Sequence, residues 1–124
     1  MRVACWLLVF FSMLCVGAAR ERDFLGPRVY KDPASGTLLY LETDGRHVAA
    51  ISVDGKLLWL KDPFKDAHMP FYRTKTPQIV YIGSIPKEDT VSVPHDRFVS
   101  IRFNSSQFGY LSISSGEFRF EGQD

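Results

Sequence analysis

The sequence predicts an all-β domain, and three features carry that reading. Four turn signals, Asp32-Pro33-Ala34-Ser35-Gly36, Asp44-Gly45, Asp54-Gly55 and Ser114-Ser115-Gly116, each separate short apolar or aromatic runs. Those runs are dominated by β-branched and aromatic residues, which suit a pleated, half-buried surface. Beyond position 19, no window of eleven or more residues repeats apolar side chains at i, i+3, i+4 and i+7, the mark of an amphipathic helix.

Taken in order, the runs give strands at 28–31, 37–42, 46–53 and 56–61, which the turns join into a four-stranded antiparallel meander. Asp-Gly between apolar runs points to two-residue hairpin turns that need positive φ at both central positions. The second half gives strands at 78–84, 90–93, 97–104, 107–113 and 117–121, with Asn104-Ser105-Ser106 as the turn before 107. Eight or nine short antiparallel strands suit one small domain, built as a sandwich or a small barrel. Most runs are too short for a membrane-spanning barrel, whose strands need about 9–11 residues.

A segment of different composition precedes the strands. Arg2 is followed by an apolar run over 6–16, by the small residues Gly17-Ala18-Ala19, and then abruptly by Arg20-Glu21-Arg22-Asp23. That order is the pattern of a cleavable secretory signal. The expectation is a signal helix over 1–19, with 20–124 as a single all-β domain. The apolar run falls short of the roughly 20 residues a membrane helix needs, so no stable span is expected after cleavage. Ser12-Met13-Leu14 ahead of Cys15 does not match a lipoprotein signal. Cys5 and Cys15, the chain's two cysteines, both lie in this segment, so the mature chain is read as cysteine-free. The expected destination is the periplasm or the extracellular space.

Charge narrows the partners. The full chain carries 15 Lys+Arg against 14 Asp+Glu, and losing Arg2 leaves the two signs equal. A nucleic-acid binder normally shows a strongly basic face, and docking on anionic membranes needs basic clusters. Neither is expected here.

The hairpins also show a weak internal repeat. Ile51-Ser52-Val53-Asp54-Gly55-Lys56-Leu57-Leu58-Trp59 parallels Leu111-Ser112-Ile113-Ser114-Ser115-Gly116-Glu117-Phe118-Arg119-Phe120, and the run from Val29 to Tyr40 is a looser third copy. Any right-twisted hairpin selects part of this pattern, since glycine supplies the turn and the aromatic packs the returning strand. The stretch Asp54-Gly55-Lys56-Leu57-Leu58-Trp59 resembles the turn-and-tryptophan signature of β-propeller blades that bind quinone cofactors or scaffold outer-membrane assembly. A propeller needs at least about four blades of four strands, and this chain has room for two at most. The resemblance therefore implies a self-assembling subunit as the alternative to a binding module, and no cofactor is carried over.

The one long connection, 62–77, holds the candidate site. It contains Pro63, Pro70 and Pro77, which exclude a central strand over most of its length. Connections longer than about 12–15 residues in compact domains are usually functional or disordered. Aromatic residues together with Arg suit a contact surface, so Phe64, His68, Phe71, Tyr72 and Arg73 are expected to hold a protein or an envelope glycan. The competing expectation is a crossover between sheets that tucks Phe64 and Phe71 into the core.

Catalytic chemistry finds little support. His47, His68 and His95 lack metal-ligand spacing, and Asp62, Asp66 and His68 are read as a surface polar cluster, so no metal is expected. There is no Gly-x-Ser-x-Gly elbow, and no cysteine nucleophile follows residue 19. Ser105 and Ser106 are assigned to a turn, and Asn104-Ser105-Ser106 also matches a glycosylation acceptor. The function expected is an exported, non-catalytic binding module. A homo-oligomeric structural subunit and an envelope hydrolase are the alternatives.

Overall fold

The turn chemistry folds the chain twice into the same motif. In a computed structural model, which describes residues 28–124, β1 (Val29–Lys31), β2 (Leu38–Leu41), β3 (Val48–Ile51) and β4 (Leu57–Lys61) form one antiparallel sheet in that order. The one-turn helix α1 (Pro63–Asp66) opens the long connection. β5 (Ile79–Ser84), β6 (Phe98–Phe103), β7 (Gln107–Ser112) and β8 (Phe118–Gln123) then form a second antiparallel sheet, again in chain order. The domain is all-β, and its two separate sheets exclude one closed barrel. The expected signal helix over 1–19 lies outside the described residues.

The two Asp-Gly turns differ from expectation. Gly45 and Gly55 have positive φ (73° and 87°), while Asp44 and Asp54 do not. The amide of Gly45 donates to the carbonyl of Glu42 and that of Gly55 to Ser52, each closing an ordinary four-residue turn. The glycine then serves as the single left-handed residue that returns the chain to the ladder, as in longer hairpin loops. Aspartate here supplies a side-chain acceptor instead: Asp44 Oδ1 takes the amides of Arg46 (2.8 Å) and His47 (3.0 Å).

The strand expected at 90–93 is absent. Val91 and Val93 instead join Ile85 against Phe98 and Tyr110, so this segment lies across the outer face of the second sheet rather than entering a ladder. Pro94 has no amide to donate, and it restricts Val93 before it.

The core forms where the two sheets meet. Leu39, Leu41, Val48, Ala50 and Trp59 of the first sheet pack with Ile79, Ile82, Val99, Ile101, Phe103, Leu111 and Phe118 of the second. Alternation along β2 and β6 sends every second side chain inward, as a strand with one buried face requires. Two polar links pin the sheets: the Ile79 amide donates to the Gly45 carbonyl at 2.7 Å, and the Trp59 indole N–H to the Ile113 carbonyl at 3.0 Å.

Candidate functional site

The 62–77 loop is built from a helix cap, an aromatic stack and two backbone reversals. Asp62 caps α1, its Oδ1 accepting the Lys65 amide at 3.1 Å, and Pro63 sits where a helix needs no donor. The same carboxylate takes two parallel hydrogen bonds from Arg46, Nε to Oδ1 at 3.1 Å and Nη2 to Oδ2 at 2.9 Å. This fork locks the loop's start to the turn between β2 and β3. The Arg46 guanidinium also lies 4.9 Å from the centre of the Phe64 ring.

α1 ends in a left-handed cap made by a residue that rarely makes one. The His68 amide donates to the Lys65 carbonyl and the Met69 amide to the Phe64 carbonyl, with His68 at φ 53°. This paired pattern usually places glycine at the left-handed position. Buried Met69 and Phe64 supply the apolar contact that accompanies it.

Five residues after His68, Arg73 stands at φ 64°, and the Thr74 amide donates to the Tyr72 carbonyl at 2.7 Å. A three-residue turn with a positive φ at its centre is rare and strained. Side chains fasten it: the Tyr72 hydroxyl donates to the Asp124 carbonyl (2.8 Å), and Arg73 Nη1 to Ser106 Oγ (3.2 Å). Gln107 Nε2 holds the Pro70 carbonyl at 3.0 Å.

Of the five expected contact residues, the structure divides one from the rest. Phe64 is 5% exposed and belongs to the core, stacked on Phe71 at 5.7 Å and edge-on to Phe103 at 5.6 Å. It supports a surface and does not form one, because the cap geometry at Asp62 turns it inward. Phe71 is 66% exposed, so the alternative that both phenylalanines enter the core holds for Phe64 alone. His68 and Arg73 are exposed and Tyr72 is half-buried, with the Arg73 guanidinium 5.2 Å from the Tyr72 ring centre.

Asp62 is engaged with Arg46, and among the described residues no cluster of three or more His, Cys, Asp or Glu side chains is placed to hold a metal ion. His47 Nδ1 meets Asp44 Oδ2 at 2.6 Å, and His95 Nε2 meets the Asp89 carbonyl at 2.8 Å. Among the described residues no helix is long and apolar enough to cross a membrane.

A second surface escaped the sequence reading. The register places Val29, Tyr40, Ala49 and Leu60 side by side across the outer face of the first sheet. Leu57 pairs with Ile51 in the neighbouring row that also holds Lys31 and Leu38, and Leu58 falls at the shift in pairing between Ala50 and Ile51; both leucines are exposed. The signal was present in Leu57-Leu58-Trp59-Leu60, a strand whose run of apolar residues breaks the usual alternation. No family model, curated protein or solved structure matches the chain at a significant level.

Proposed function

We propose that the chain is an exported, non-catalytic binding module that holds a protein partner through His68, Phe71, Tyr72 and Arg73 of the 62–77 loop. One observation carries this: two non-glycine residues of a single loop, His68 and Arg73, are kept at φ 53° and 64° on either side of an exposed phenylalanine. Left-handed backbone at such residues costs about 1–3 kcal/mol each, persists only where the surrounding structure enforces it, and clusters at functional sites. Here the strain holds Phe71 in water, backed by Phe64, instead of letting the loop collapse onto the core. Tyr and Arg beside a large apolar ring are the residue types that dominate protein–protein hot spots. That favours a protein over an envelope glycan. Export rests on the charge and hydropathy pattern of residues 1–19.

Affinity capture from the envelope and culture fluid of the source cells tests the proposal. One specific protein should be retained by the wild type and lost by both Phe71→Ala and Arg73→Ala, each melting like the wild type. Retention of a polysaccharide with the same dependence would assign the loop to glycan binding. A partner held equally well by both variants would overturn the site.

A further inference from the structure

We propose that Asp54 is a site of spontaneous covalent modification, at which the exposed turn between β3 and β4 converts aspartate to isoaspartate, while the fold protects Asp44. The chain holds two Asp-Gly pairs, Asp44-Gly45 and Asp54-Gly55. Glycine presents its amide nitrogen with no side chain in the way, so this pair is the one most open to attack by the main chain on its own carboxyl. The two turns share one backbone form. Both glycines lie at positive φ, and their amides donate to the carbonyls of Glu42 (3.0 Å) and Ser52 (2.9 Å). What differs is the carboxyl and its surroundings.

The reaction needs a carboxyl free to take up a proton and a turn free to rotate. At Asp54 both conditions hold. The residue is exposed, its carboxyl makes no hydrogen bond or ion pair among the described residues, and a Cβ placed on Gly55 would meet nothing within 4 Å. Asp44 fails both. Its Oδ1 takes the amides of Arg46 and His47, its Oδ2 meets the His47 ring at 2.6 Å, and these contacts keep the acid form scarce. Its turn is also clamped to the second sheet: the Ile79 amide holds the Gly45 carbonyl at 2.7 Å, and a Cβ on Gly45 would stand 3.1 Å from the Gln78 side chain.

The step consumes nothing but water. The Gly55 amide nitrogen bonds to the side-chain carboxyl carbon of Asp54, and the carboxyl hydroxyl leaves with the amide hydrogen as water. The five-membered imide then takes up one water molecule. If its bond from nitrogen to the side-chain carbonyl breaks, aspartate returns. If the bond to the main-chain carbonyl breaks, the chain continues through the side chain as isoaspartate. The mass is unchanged, and the turn gains one backbone carbon.

This site uses none of the loop residues, and the inference stands apart from the loop's partner. Trypsin makes the comparison within one sample, because cleavage after Lys31, Arg46 and Lys56 yields peptide 32–46 with Asp44 and peptide 47–56 with Asp54. Asp32, also in the first peptide, precedes Pro33, which has no amide hydrogen to give up. The purified folded chain is aged at about pH 5, where aspartate still samples its acid form. The digest is resolved by reversed-phase chromatography, and isoaspartate is identified by electron-transfer fragmentation. An isomer of unchanged mass is expected to build up in 47–56 at least about ten times faster than in 32–46, a ratio within reach of a carboxyl held at about 2 instead of 3.8. In guanidinium chloride the two rates should converge. Equal rates in the folded chain, or a faster one in 32–46, overturn the proposal. So does a ratio that unfolding leaves unaltered, since the folded turns would then not set it.

Discussion

Trp59 on β4 donates its indole N–H to the main-chain carbonyl of Ile113, 3.0 Å away and 54 positions along the chain. The donor is on the first sheet, the acceptor just past β7 of the second, and both residues are buried in the shared core. Trp59→Phe keeps an aromatic ring but removes the donor from a buried carbonyl, a loss of about 1–3 kcal/mol. Urea unfolding should show a lower midpoint at an unchanged slope. An unaltered midpoint would mean that the bond contributes nothing.

Gly116 and Gly55 offer a controlled comparison of backbone strain and steric clash. Both lie at positive φ, 77° and 87°. A Cβ on Gly55 meets nothing within 4 Å, while one on Gly116 stands 2.8 Å from both the Trp59 ring and the Lys61 Cγ. Gly55→Ala should therefore cost only the left-handed penalty, about 1–2 kcal/mol. Gly116→Ala adds displacement of a core tryptophan, and overpacking of that kind costs about 1–3 kcal/mol more. Chemical denaturation of the two variants checks the ranking. Equal losses would show that Trp59 yields freely.

The same tryptophan shows how far the sequence could be read. Gly-containing turns announced every reversal of the first meander (Gly36, Gly45, Gly55) but only one of the second (Gly116), where the turn after β6 is marked by Asn104-Ser105-Ser106 instead. The strand expected at 90–93 failed because Val91 and Val93 are apolar for a different reason: they cover Phe98 and Tyr110 by side-chain packing, with no ladder bonds. Period-two patterning cannot separate those two uses of valine. Phe64 and Phe71 look alike in the sequence, and only the cap at Asp62 and the reversal at His68 send one inward and the other outward. The row Val29, Tyr40, Ala49 and Leu60 spans four strands, so it exists only once register is known.

Asp44 gives the fold a specific sensitivity to acid. Partial burial acts to raise its carboxyl, but the amides of His47 and Arg46 and the His47 ring outweigh that and hold it at about 2, below the ordinary 3.8. The folded state thus keeps the charged form more readily than the unfolded chain does. Its contribution is complete above 3.8 and is lost as pH falls from 3.8 towards about 2. Because the side chain is half-exposed, solvent screening limits the effect to about 1 kcal/mol or less. Asp44→Asn retains an acceptor for the two amides but does not titrate. The stability advantage of the wild type over this variant should shrink across that interval. A constant difference from neutral pH to pH 2 would show that the carboxylate contributes no acid sensitivity.

His68 supplies the sharpest test of strain held for function. It occupies the left-handed position after α1, at φ 53°, where glycine normally ends a helix. A non-glycine residue there costs about 1–2 kcal/mol, partly offset by the larger entropy that glycine loses on folding, about 0.5–1 kcal/mol. His68→Gly should therefore stabilise the protein by about 0.5–1 kcal/mol, which for a domain of this size raises the melting temperature by a few degrees. If histidine is kept at this position for contact, the same variant should lose affinity for the loop's partner while melting higher. The two readouts move in opposite directions only when the strain serves binding. A variant that melts lower would show that the His68 side chain stabilises the fold, and the argument from strain to site would fall with it.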